Sequence, residues 1–260
     1  SQTVLLALYA ASLTSHALVN HYGLRVIARL NDFSVVYQVT ATLALVAVLI
    51  FFTPKQPLSF VYSQAWTASS YPYWWAFLVG LLQAQWTLTG YDASAHITEE
   101  TVDPRRNAPW GMFLSVAVSG IVGYIMLLAI TLAIQDLPAA ASAANPFIYI
   151  ISTALGGAAG KIALWAILGA MWFCGLSCIT SAARMLFAFS RDKGIPGWKH
   201  WASIDPKHRT PAKATWLIAV LAFLCALYSK TYSAIVSMCV ISLYLSYVIP
   251  IALALKDRIQ

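Results

Sequence analysis

Seven long apolar runs decide what this chain can fold into. They fall near 2–19, 32–52, 74–97, 110–134, 161–189, 212–229 and 233–255. A hydrocarbon core about 30 Å thick is crossed by about 20 apolar residues of helix rising 1.5 Å each. Lipid offers no partner to a peptide group, so a spanning run of this length must be helical. The expected fold class is therefore all-α, a polytopic membrane protein with seven transmembrane helices. Charged residues make up only 10% of the chain and hydrophobic ones 60%, too few charges to clothe a water-soluble domain. Soluble enzyme folds, nucleic-acid-binding modules and disulfide-stapled scaffolds are excluded on that ground. A shorter apolar segment, 146–157, opens with Asn145-Pro146 and ends in Gly156-Gly157, which predicts an interfacial helix outside the bilayer.

The net charge of +7 bears on orientation. Basic residues near span ends are retained on the cytoplasmic side. Thirteen of the sixteen fall on one side of the seven-span arrangement, and only Lys55, Lys161 and Lys230 on the other. The expected topology has the N-terminus outside and the C-terminus in the cytoplasm, in a cell membrane. Ser1 opens directly on an apolar run, which reads as a fragment of a longer protein. Cys174, Cys178, Cys225 and Cys239 all lie inside apolar runs and are expected to be buried free thiols. No histidine or carboxylate completes a ligand set around the Cys174–Cys178 pair, so no metal site is expected there.

The third run carries the most information. Its apolar character fails at Trp86-Thr87-Leu88-Thr89-Gly90-Tyr91-Asp92-Ala93-Ser94. A carboxylate at membrane depth costs roughly 2.5–3.5 kcal/mol on insertion scales and needs water, a partner or a cavity. Irregular backbone is tolerated at that depth only where it lines a protein cavity. From the residues alone two readings stand: Asp92 is an early interfacial charge with Gly90 as a packing contact, or the segment is a binding site. Trp86 sits near the middle of the run, away from the interfacial belts where tryptophan collects.

Four separated motifs are similar to the amino acid/polyamine/organocation (APC) permease superfamily: Asn20-x-x-Gly23; Thr89-Gly90-Tyr91-Asp92; Glu99-Glu100 followed by Asp103-Pro104-Arg105-Arg106-Asn107-Ala108-Pro109; and Ser181-Ala182-Ala183-Arg184 running to Ala188-Phe189-Ser190-Arg191-Asp192-Lys193-Gly194-Ile195-Pro196. Their order and spacing match over nearly the whole chain, with the amino acid and choline permeases the nearest in pattern. The resemblance implies a partial LeuT-type inverted-repeat fold covering about helices four to ten of the template. Residues 2–52 would then be the last two helices of the first repeat, 74–256 the complete second five-helix repeat, and the broken third span the template's unwound sixth helix. The whole of 1–260 would be one transmembrane domain.

The function this resemblance implies is secondary active transport of an amino acid or related amine by alternating access, with no cofactor, and with the isolated chain inactive. The substrate-binding residues it implies are Trp86, Leu88, Thr89, Gly90, Tyr91, Asp92 and Cys178. The carbonyls of Leu88 and Thr89 would face an ammonium, Trp86 would cover the substrate's aliphatic or cationic part, and Asp92 would occupy an acidic gate position usually held by glutamate. Thr180 and Ser181 fall where hydroxyls can coordinate sodium in LeuT-fold relatives, although back-bonding within the helix is the commoner role. Gln38 lies near a position that holds a lysine in some proton-coupled members, and glutamine cannot carry that proton. Proton or sodium coupling is left open. The other expected partner is the lipid bilayer; no nucleic acid is expected. Glu99, Glu100, Arg105 and Arg106 are expected to form a charge cluster, and Arg184 to snorkel or find an acidic partner. Two alternatives compete with this reading. A seven-helix receptor would show a disulfide pair in its outer loops, and no cysteine lies there; a membrane-embedded enzyme would gather its histidines, and these are scattered.

Overall fold

A computed structural model describes residues 2–63, 70–227 and 232–259. Twelve α-helices lie in that range: α1 Gln2–Tyr22, α2 Leu24–Phe52, α3 Ser59–Ser63, α4 Tyr73–Thr87, α5 Ala93–His96, α6 Pro104–Leu132, α7 Leu137–Ser142, α8 Pro146–Leu155, α9 Gly157–Arg191, α10 Trp198–Trp201, α11 Ala212–Leu227 and α12 Tyr232–Ile259. No strand occurs among the described residues. The chain is all-α.

Five helices, α1, α2, α6, α9 and α12, are long and apolar enough to cross a membrane. The other two expected spans are shorter: α4 has 15 residues and α11 has 16. The α4 run is cut by its internal break, and the end of the 212–229 run lies outside the described residues. Helices generally outrun the apolar stretches that announce them, because polar residues continue the helix into water. The clearest case is the 103–109 connector, which is helical from Pro104 onward. Proline at the first helical position gives up an N–H that had no partner and brings a φ already suited to the helix. Pro109 lies within the same helix.

The segment 136–157 forms two short helices where one was expected. Asp136 caps α7 by accepting the Ala139 N–H at 3.0 Å, and Asn145 caps α8 by accepting the Ile148 N–H at 3.1 Å. Here α7 and α8 close a buried apolar cluster, in which Ile150 and Ile151 meet Val46 and Leu49 of α2 and Ala129 and Ile130 of α6. A second contact region joins α1, α9 and α11. It is built from fully buried small residues, Ala17, Ala183 and Ala214, which let helix backbones approach closely where lipid supplies no hydrophobic drive. The cysteines depart from expectation: all four are exposed and free.

Candidate functional site

The interruption in the third run is built by its backbone. Helix α4 stops at Thr87, residues 88–92 form turns, and α5 starts at Ala93. Gly90 has φ +83°, in the left-handed region that glycine enters without steric cost. The Ala93 N–H reaches the Gly90 carbonyl at 3.1 Å, and i→i−4 bonding resumes with His96 to Asp92 at 3.2 Å. The Leu88 carbonyl accepts no hydrogen bond among the described residues.

Two neighbours hold this turn. On one side, glycines of α6 admit it: a Cβ on Gly123 would sit 2.8 Å from Thr87 Cγ2, and one on Gly111 would sit 2.9 Å from Ser94 Oγ. On the other side stands Tyr247 of α12. Its hydroxyl donates to Asp92 Oδ1 at 2.8 Å and accepts the Gly90 N–H at 3.4 Å, while its ring lies 4.6 Å from that of Tyr91. The second carboxylate oxygen of Asp92 meets His96 Nε2 at 3.0 Å. Asp92 is therefore a shared acceptor joining α12 to both ends of α5, and it makes no cap bond to the α5 backbone. Tyr247 was absent from the sequence-derived set. It lies 155 residues from Asp92 in a uniformly apolar span, and nothing in its local pattern separates it from a packing tyrosine.

The structure brings Gly90, Tyr91 and Asp92 together around Tyr247 and leaves the other expected residues apart. Leu88 lies against Gly120 of α6. The Trp86 side chain lies outside the described residues. Gln38 faces a cavity of about 200 Å³ beside Thr87 and Gly123. It also lines a larger cavity of about 560 Å³ between α2, α6, α8 and α9, nearly all of it apolar, which includes Cys174 but no residue of the break. Cys178 lines neither cavity. Thr180 is buried and turned toward α1, donating to Asn20 Oδ1 at 2.7 Å and back to the Leu176 carbonyl at 2.9 Å. The Ser181 hydroxyl makes no hydrogen bond among the described residues.

The expected charge cluster forms with different members. Arg184 donates to both oxygens of Glu100, at 2.7 and 2.9 Å, and also to the Thr180 carbonyl at 3.3 Å. Arg191 pairs with Glu99 at 2.6 Å. Arg105 and Arg106 make no ion pair among the described residues: they lie in the first turn of α6 and are exposed to solvent. The two pairs fasten the segment after the break to α9.

A further polar group ties α1 to the loop before α11. Asp205 Oδ2 lies 2.9 Å from His208 Nδ1 and 3.5 Å from His21 Nε2. Two nitrogens and a carboxylate oxygen at such spacing are a possible metal set. However, the Trp216 indole N–H donates to His21 Nδ1 at 3.1 Å, which places the proton of the neutral ring on Nε2, facing Asp205, where a metal would need a lone pair. A hydrogen-bonded clamp satisfies all three groups. The His208 ring and the backbone N–H of Lys207 hold the Asp205 carboxyl at about 2. That is below its unfolded value of about 3.9, so the stabilisation is complete above pH 4 and is lost as pH falls toward 2. Asp205→Asn is expected to lower the thermal midpoint at pH 7, with the gap from the parent closing between about pH 4 and 2; a gap independent of pH would show that the carboxylate charge is not the source.

The profile of the amino acid permease family matches residues 1–260. The chain is 35% identical over 269 residues to a rice protein named amino-acid permease BAT1 homolog, and 33% identical over 273 residues to amino-acid permease BAT1 of Arabidopsis thaliana. These matches cover 96% and 97% of the chain and 52% of each relative. A choline transporter of Saccharomyces cerevisiae is 30% identical over 191 residues, covering 70% of the chain and 34% of that protein. Helices of spanning length, one apolar run broken at a glycine, and this match along the full chain define a polytopic membrane protein of a single family. The chain belongs to the amino acid permease family. It spans about half the length of the curated relatives it matches.

Proposed function

We propose that this chain works within a longer carrier that moves an amino acid or a related organic cation across the cell membrane by alternating access, and that the break at 88–92 contributes part of its substrate site. The observation that carries the reading is the left-handed Gly90 turn inside an apolar run, with the Leu88 carbonyl accepting no hydrogen bond among the described residues. Fixed peptide dipoles of this kind suit a charged substrate because they need no reorganisation when it arrives. Leu88 and Thr89 carbonyls face the ammonium, Trp86 covers the rest of the substrate, and Asp92 with Tyr247 closes one side. Gln38 and Cys178 stand at the periphery. The hydroxyl of Thr180 is already engaged by Asn20 and Leu176, which favours a structural role over a sodium site. Residues 2–52 act as the end of one repeat and 74–256 as the second, with the chain's N-terminus outside and its C-terminus in the cytoplasm.

Uptake by the full-length carrier in proteoliposomes, with a panel of amino acids, polyamines and choline and with imposed proton or sodium gradients, tests the reading. Uptake of one of these classes is expected, and Trp86→Ala is expected to raise the apparent KM about tenfold with folded yield nearly unchanged, the size of one lost aromatic contact with a cation. Unchanged affinity across the panel removes Trp86 from the site. Uptake by the 260-residue chain alone would overturn the proposal that it works only as part of a longer protein.

A further inference from the structure

The stretch from the end of α9 to the first turn of α11 holds more positive charge than its partners account for. Arg191, Lys193, Lys199, Lys207, Arg209 and Lys213 are all exposed. Arg191 is engaged by Glu99, with Asp192 3.7 Å away. None of the other five makes an ion pair among the described residues. The one other carboxylate of the connector, Asp205, is taken up by two histidines and a backbone N–H.

Two of these lysines converge. Lys193, held at φ +63° just past the end of α9, and Lys199 within α10 both place Nζ over the Trp198 ring, at 5.4 and 5.6 Å from its centroid. Each ammonium is attracted by the indole quadrupole, and two positive charges held beside one ring, with no carboxylate paired to either among the described residues, add a local attraction for an anion. Trp201 closes the same short helix. Indoles settle at the headgroup level of a bilayer, where one end is apolar and the other wet.

We propose that Lys193, Trp198 and Lys199 form a site for the phosphodiester of an anionic phospholipid, with the phosphate between the two ammonium groups and the indole against the glycerol region. Lys207 and Arg209 of the same connector and Lys213 at the start of α11 add attraction. The site does not depend on the transport reading and involves none of the residues assigned to substrate.

Native mass spectrometry of the purified full-length carrier in detergent, titrated in parallel with phosphatidylglycerol and phosphatidylcholine, tests this. The parent protein is expected to retain phosphatidylglycerol preferentially, and Lys193→Gln with Lys199→Gln to weaken that lipid about 30-fold, from the attraction of two basic residues near an anionic surface. Lys256→Gln with Arg258→Gln, at the end of α12, is the matched control and should change the preference less than threefold. Equal retention of both lipids by the parent, or an undiminished preference in the Lys193/Lys199 variant, overturns the proposal. Displacement of the lipid by millimolar inorganic phosphate would assign the lysines to a free anion and would overturn the lipid assignment as well.

Discussion

Gly90→Val is expected to cut uptake by the full-length carrier about 10- to 100-fold while leaving the helical content near that of the parent. The side chain itself meets no obstacle, since a Cβ at this position has no heavy atom within 4 Å. The strain lies in the backbone. At φ +83° a β-branched residue sits in a region that costs about 1–3 kcal/mol, and the turn relaxes by moving the Gly90 N–H off the Tyr247 hydroxyl and re-aiming the peptide groups at 88–90. Gly80→Ala is the control. It lies within α4, also with nothing within 4 Å of a new Cβ and with no positive φ, and alanine there favours the helix by about 1 kcal/mol. Equal uptake by the two variants would mean that the left-handed turn has no part in transport.

The second large effect is expected at Arg184, and here the readout is stability. Its side chain is 8% exposed and is held by both Glu100 oxygens and a backbone carbonyl, whereas Glu100 is 39% exposed and regains water when left alone. Discounting for that solvent, Arg184→Ala should cost about 1–3 kcal/mol, read as a fall of roughly 5 °C in thermal midpoint. Glu99→Gln removes the outer pair, whose partners are 49% and 63% exposed, and should change stability by less than about 1 kcal/mol. Exchanging the partners, Arg184→Glu with Glu100→Arg, should recover part of the loss, because the pair re-forms while the Thr180 carbonyl loses its donor. Equal costs for Arg184→Ala and Glu99→Gln would show that the inner pair does not hold the segment after the break to α9.

What could be read from the sequence was set by how local each signal is. Span-length apolar runs gave the all-α class, and the cluster of Thr87, Thr89, Gly90 and Asp92 marked where the third run fails, since both depend on residues within one or two turns. Arg184 was expected to snorkel or to find an acid, and which of these it does depends on how the segment after α5 folds back on α9. Arg105 and Arg106 had the same composition-level signal as Glu99 and Glu100 and still stand apart, since Pro104 starts a helix that carries them away. Tyr247 and Trp216 were not legible at all. Each is one of several aromatics in an apolar span, and its role comes from a partner more than 150 residues distant. The cysteines were misread because exposure depends on which helix faces are covered, and apolar surroundings in sequence do not report that.

Helix α9 has 35 residues, a length of about 52 Å against about 30 Å of hydrocarbon. At the usual tilt of about 20° it still overshoots the apolar layer by nearly 20 Å. Host-membrane thickness therefore changes how much of this rod is wetted, without changing whether it traverses. Its excess stands proud of the leaflet as a rigid post, and the elements pinned to it by Arg184 and Arg191 keep their height above the lipid when the surrounding bilayer thins or swells.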